Sequence, residues 1–154
     1  MTINRQSALE HEKELSEAPW SRQDLIELGN SIVADSQNKK LVVATAIFLN
    51  GQRVFQMALD GTSAENDLWI SYKVNTVELT GHSSLALREK VEALNIQESD
   101  LGFKTFNLAV CGGGFPLTTK SKLVGIAVVS GLPHLDDHDL IVEHLRHLKK
   151  KRGW

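Results

Sequence analysis

The chain has 154 residues and a formal net charge of −2, with 17 Lys plus Arg against 19 Asp plus Glu. At 42% hydrophobic and 23% charged it is neither a disordered chain nor a disulfide scaffold; a domain of this size buries roughly 70% of its unfolded surface without metal or cross-links. The near-neutral balance argues against nucleic acid as the main partner, because phosphate binding needs a concentrated basic face.

The amino terminus, Met1 to Ser7, is polar and runs into Glu10, Glu12, Lys13, Glu14 and Glu17, so it does not read as a signal peptide. The longest apolar runs, Leu41 to Leu49 and Leu123 to Val129, fall well short of the roughly 20 residues that span a bilayer. No membrane partner is expected. A single cysteine, Cys111, cannot form an internal disulfide and fits a reducing cytoplasm, the expected location. Residues 1–154 read as one domain, with residues 1–20 as an N-terminal segment open to helix formation.

Asp24 to Asn38 carries Leu25, Leu28, Ile32 and Val33 at helical intervals, with Ser21 as a cap. Leu41 to Leu49 is rich in β-branched residues and is followed by Asn50-Gly51, a strong hairpin signal, with Gln52 to Leu59 as the returning strand. From Ser63 the period becomes helical: Ile70, Val74, Val77, Gly81 and Leu85 share one face, and Leu87, Val91 and Leu94 form a second stripe. Thr80-Gly81-His82-Ser83-Ser84 predicts a kink or break between them. Phe106 to Val110 and Lys122 to Val129 read as strands, with Gly112 to Leu117 as the connection. After Gly131-Leu132-Pro133, Asp136 or Asp137 is expected to cap a last helix whose inner face holds Leu140, Ile141, Leu145 and Leu148. Adjacent antiparallel strands with helices in blocks indicate an α+β fold.

Gly112-Gly113-Gly114 has two readings: a loop whose N–H groups receive a ligand, or a turn or bulge that needs positive φ. The pattern fits neither a P-loop nor a dinucleotide fingerprint. Cys111 reads as a buried hydrophobe, with a reactive thiolate as the alternative. In His134-Leu135-Asp136-Asp137-His138-Asp139 the carboxylates suit a helix amino end better than a metal, and no metal centre is expected; His138 could also act as a proton carrier. His82, at the helix break, is open to a structural or a ligand-binding role. Trp69 and Lys73, four apart, read first as core and second as the lining of a flat site. The basic tail Arg146 to Arg152 reads as a solvated helix end that complements the dipole.

Four motifs occur in order: Trp69-x-x-x-Lys73-x-Asn75-Thr76-Val77-Glu78, Gly81-His82-Ser83-Ser84, Gly112-Gly113-Gly114-Phe115-Pro116-Leu117, and Val129-Ser130-Gly131-Leu132-Pro133 with Asp137-His138. Together they resemble a branch of the haem-degrading-domain family, which includes GlcG-like and HbpS-like proteins, over nearly the whole chain from about Asp24. The resemblance implies a profilin-like α/β/α sandwich with a central antiparallel sheet, assembly into homo-oligomers, and a small-molecule ligand such as haem. Tyr72 stands where the family commonly has Arg. The implied ligand-binding positions are His82, Ser83, Gly113, Gly114, Phe115, Ser130 and His138, grouped in a pocket near the Gly-rich loop. Haem iron takes an imidazole or thiolate, so His82, His138, His134 and Cys111 are the candidate axial ligands. The alternative expectation is a non-enzymatic oligomeric adaptor in which the same motifs serve folding and subunit contact.

Overall fold

In a computed structural model, which describes residues 5–154, five helices surround a four-stranded antiparallel sheet. The elements are α1 (Ala8–Leu15), α2 (Arg22–Asn38), β1 (Ala44–Leu49), β2 (Gln52–Ala58), α3 (Ala64–Thr80), α4 (Ser84–Leu94), a 3-10 turn (Glu98–Leu101), β3 (Gly114–Thr119), β4 (Lys122–Ser130) and α5 (His134–Arg152). Strand order is β2-β1-β4-β3, so two hairpins lie side by side and β1 and β4 are the central strands. Among the described residues no helix is long and apolar enough to cross a membrane.

The two sheet faces follow from the period of two along each strand. Val43, Ile47, Phe115, Leu117, Ala127 and Val129 face a core built with Leu25, Leu28 and Ile32 of α2 and Ile141 and Leu145 of α5. Ala44, Ala46, Ile126 and Val128 face Ile70 and Val77 of α3. The result is the α/β/α sandwich that the motifs implied. Helix α1, within the N-terminal segment, packs on α4 and α5. The chain beyond it covers the β3 edge: Thr118 donates its N–H to Ser16 O at 2.8 Å, and Ala18 donates to Thr118 O at 3.0 Å. Covering an exposed strand edge removes a template for aggregation.

Local signals in the sequence account for the element ends. Ser21 accepts from Asp24 N while the Asp24 carboxylate accepts from Ser21 N, a reciprocal cap. Asn50 and Gly51 have φ of 50° and 80°, both positive, as the two-residue turn requires. Gly81 ends α3 with φ 71°, and the Ser83 hydroxyl caps α4 by accepting from Ala86 N, so the break is complete.

Three expectations are corrected. Phe106 to Val110 forms no strand, because its backbone polar groups are taken by side chains of α3. Thr76 Oγ1 accepts from Ala109 N and donates to Ala109 O, both at 2.9 Å, and Asn75 Nδ2 donates to Asn107 O at 3.0 Å. Gly114 to Leu117, expected as connection, is strand; Pro116 is tolerated because β3 is an edge strand on which a missing N–H goes unnoticed. His134 is the first residue of α5, and Asp136 and Asp137 lie within its first turn. Neither caps it.

Candidate functional site

The two carboxyl-terminal motifs and the tryptophan–lysine motif meet at one end of the sheet. There a polar cleft of about 290 Å³ is lined by residues including Trp69, Lys73, Cys111, Ser130, His134 and Asp137. Its floor is an ion pair: Lys73 Nζ lies 3.1 Å from Asp137 Oδ2, with the two side chains 4% and 3% exposed. Lys73 also donates to Val129 O at 2.8 Å, and the Asp137 carboxylate accepts from Gly131 N and Leu132 N at 3.3 and 2.9 Å. Burial holds the Asp137 carboxyl above its ordinary range despite the lysine beside it. Ser130 Oγ accepts from Asn66 Nδ2 at 3.3 Å, while burial pushes the Cys111 thiol up and away from the reactive thiolate.

The three glycines do not form an open cradle for a ligand. A Cβ at Gly112 would overlap His134 O, one at Gly113 would overlap Val129 O and lie 2.5 Å from Lys73 Nζ, and one at Gly114 would lie 3.0 Å from Lys73 O. Gly112 donates its N–H to His134 Nδ1 at 3.0 Å, and Gly114 donates to Ser84 Oγ at 2.9 Å. The segment brings α3, β4 and α5 together at the cleft floor.

Phe115 and His138 are fully buried between the sheet and α5. His138 Nε2 lies 3.0 Å from His11 Nδ1, their rings stack with centroids 5.2 Å apart, and His138 Nδ1 has no partner among the described residues. Burial, then the nearby His11, bring the His138 imidazole down to about 3; burial also lowers His11. Because the native state binds this proton later than the unfolded chain, stability is full above the ordinary histidine range and falls as pH drops toward the native value. Unfolding free energy should therefore fall by about 1.4 kcal/mol per pH unit between about pH 6 and pH 4 from His138 alone. Urea titrations across that range check this, and a His138→Leu variant should show a flatter profile.

His82 and Ser83 stand elsewhere, at the α3–α4 junction against α1. The Glu12 carboxylate of α1 reaches both: Oε1 lies 2.9 Å from His82 Nδ1, and Oε2 accepts from Ser83 N and Ser83 Oγ at 3.1 Å each. The His82 side chain is 57% exposed and lines an apolar groove of about 620 Å³ whose walls include Leu9, Leu79, Leu87, Ala93 and Phe103, with Lys90 at its side. This groove shares no lining residue with the polar cleft. The structure thus divides the expected pocket: Ser130 and His134 border the cleft, His82 borders the groove, and Gly113, Gly114, Phe115 and His138 pack the interior between elements. Glu12 and His11 were not picked out for site roles from the sequence, and their only signal was an acidic stretch preceding the first recognised helix.

The match to known proteins agrees with this architecture. Residues 21–146 match the family described as haem degrading protein HbpS-like. The UPF0303 protein YE1367 of Yersinia enterocolitica is 36% identical over 141 residues, covering 88% of this chain and 82% of that protein; a UPF0303 protein of Psychromonas ingrahamii is 32% identical over 147 residues, covering 94% and 92%. The crystal structure of Ybr137w superposes with a TM-score of 0.83 at 26% identity, covering 94% of this chain and 87% of that one. That of the PduOC:heme complex superposes with a TM-score of 0.67 at 20% identity, covering 85% and 95%. The sandwich, its motifs and the span of the match together place this chain in the HbpS-like haem-degrading protein family.

Proposed function

We propose that this protein binds haem, or a flat apolar molecule of similar size, in the groove between α1, α3 and α4, with His82 as the axial ligand. The observation that carries the reading is the Glu12–His82 pair at the groove. A carboxylate on one ring nitrogen fixes the tautomer and orientation of the imidazole, which is how metal-ligating histidines are held. The other nitrogen, Nε2, has no hydrogen-bond partner among the described residues.

The rival ligands fit poorly. His138 is sealed in the core, the Cys111 thiol is driven away from thiolate, and His134 Nδ1 accepts from Gly112, which leaves its proton on Nε2 where iron would bind. The polar cleft is about half the volume of the groove and is floored by charge. Bound haem would supply a redox-active iron; Leu79, Leu87 and Phe103 would cover the ring, and Lys90 would meet a propionate. Membership of the haem-degrading family and the fold shared with the PduOC:heme complex support the choice of ligand.

Haemin titration followed by absorbance tests this. The parent should show a shifted Soret band saturating at one haemin per chain, and His82→Ala should lose it. Glu12→Gln should weaken binding by about 10-fold, as removal of a ligand's orienting partner does. No shift in the parent, or an unchanged shift in His82→Ala, overturns the assignment.

Self-association accompanies this reading. Phe106 is 84% exposed, and Leu94 is also exposed; exposed apolar side chains of this kind suit contact between copies of the chain, the homo-oligomer that the resemblance implies. A purely structural role for that surface, as in an adaptor, is favoured if light scattering finds an oligomer while haemin leaves the spectrum unchanged. A reducing cytoplasm is the setting that the lone free cysteine fits.

A further inference from the structure

On the side of the molecule where α2 packs against α5, a serine, a histidine and an aspartate form a continuous hydrogen-bonded line. Ser31 Oγ lies 2.6 Å from His144 Nδ1, and His144 Nε2 lies 2.9 Å from Asp35 Oδ2. Ser31 and Asp35 are one turn apart on α2, so both side chains meet the imidazole that α5 presents between them. With Nδ1 accepting from the hydroxyl, the ring proton sits on Nε2 and is donated to the carboxylate. Burial alone would raise the Asp35 carboxyl, but hydrogen bonds from His144 and Lys39 carry it below its ordinary range, so it is ionised at neutral pH.

We propose that Ser31, His144 and Asp35 form a nucleophilic triad that hydrolyses small carboxylic esters. The ring is used with its nitrogens exchanged relative to the usual serine hydrolase. The chemistry requires only an unprotonated nitrogen on the hydroxyl and an N–H on the carboxylate. Ser31 lines a cavity of about 300 Å³ together with Leu28, Asn30, His147 and Leu148. Glu27 and Lys151, paired with each other, also line it, so its size and the two leucines suit only a short acyl chain. Asn30 and His147 line the same cavity and are the groups from which a donor to the developing oxyanion would have to come. Asp35, Glu143 and His144 also come within cation-binding reach of one another, but both imidazole nitrogens are already engaged and Lys39 Nζ sits 3.2 Å from Asp35, which opposes a second positive charge.

In the first step Ser31 Oγ bonds to the ester carbonyl carbon while its proton passes to His144 Nδ1. The bond to the alkoxy leaving group then breaks, and that oxygen takes the proton from His144 and departs as the alcohol. Water, deprotonated by His144, attacks the acyl-serine ester; the acid is released and Ser31 regains its proton. One ester and one water become one acid and one alcohol.

A fluorophosphonate probe, with the modified residue mapped by peptide mass spectrometry, tests the nucleophile, and p-nitrophenyl acetate hydrolysis by the full chain tests turnover. The parent should carry one adduct, on Ser31. Ser31→Ala should lose it and hydrolyse the ester on the order of 100-fold more slowly, the scale of general-base catalysis. His144→Gln should lose the same factor. Should His144→Gln fail to fold, Ser31→Ala decides alone, since removing one hydroxyl from a half-buried helix position leaves the packing intact. An adduct absent from Ser31, or hydrolysis by Ser31→Ala at the parent rate, overturns the proposal, and neither result bears on haemin binding at His82.

Discussion

Replacing Lys73 with methionine is expected to lower the unfolding free energy by about 3–5 kcal/mol, the cost of breaking a buried pair on one side. In a chain of this length that corresponds to a fall of roughly 6–20 °C in the melting temperature. The loss arises from what stays behind. Asp137 keeps its carboxylate in the interior with two backbone N–H groups and no counter-charge, and Val129 O loses a donor. Its carboxyl is already held high by burial, and removing the lysine moves it further up. A carboxyl whose native value lies above its unfolded value favours the folded state at low pH and loses that contribution as pH rises through the native value. The gap between Lys73→Met and the parent should therefore be widest near neutrality and narrow in acid. The double variant Lys73→Met, Asp137→Leu should recover most of the loss, because exchanging both members for apolar groups is often neutral. Guanidinium titrations of the three proteins at two pH values measure all of this; an equal deficit in the single and double variants would show that packing, not charge, sets the effect.

The elements that were legible in the sequence are those whose instructions lie within a few residues. Ser21 with Asp24, Asn50 with Gly51, and Gly81 followed by Ser83 each specify a backbone geometry through local sterics or a local hydrogen bond. Phe106 to Val110 misleads because it carries the apolar content of a strand, while its backbone partners, Asn75 and Thr76, are about 30 residues distant on a helix. Strand β3 is hidden for the converse reason: glycine and proline disfavour strands in general, and only its place at a sheet edge makes them acceptable.

Site legibility divides along the same line. His82 was visible as a residue, since a helix break is a local event, but the carboxylate that makes it a ligand candidate comes from Glu12, 70 positions earlier. Lys73 and Asp137 are 64 positions apart, and Ser31 and His144 are 113 apart. None of these partnerships leaves a spacing in the chain; each is produced by the packing of elements far apart in sequence. The two amino-terminal residues that matter most, His11 and Glu12, are neighbours on α1 that point into different parts of the molecule, one to the core histidine and one to the helix break. A short helix of eight residues thereby ties α5 to α4, and its contribution to the groove could be anticipated from neither composition nor period.

Alanine substitutions along the glycine triplet should be ranked by space and by backbone, with Gly113→Ala the most damaging. At Gly113 the φ of 126° is one that a residue with a Cβ rarely adopts, and the added atom meets Val129 O and Lys73 Nζ at once. Backbone strain of about 1–2 kcal/mol and overpacking of about 1–3 kcal/mol together give a loss of about 3 kcal/mol or more. Gly112→Ala keeps an ordinary backbone and meets the carbonyl of His134 and the Cβ of His138, both in the first turns of α5, which can shift together, so a loss of about 1–3 kcal/mol is expected. Gly114→Ala should cost least, since its nearest neighbour lies at 3.0 Å and the others at 3.2 Å. Thermal melts give the ranking, and haemin affinity measured on the folded fraction separates the two roles the triplet could have. If the glycines serve packing, all three variants bind haemin as the parent does once folded. A variant that melts normally yet loses haemin would instead make this segment part of the ligand site and move the binding region from the His82 groove to the polar cleft.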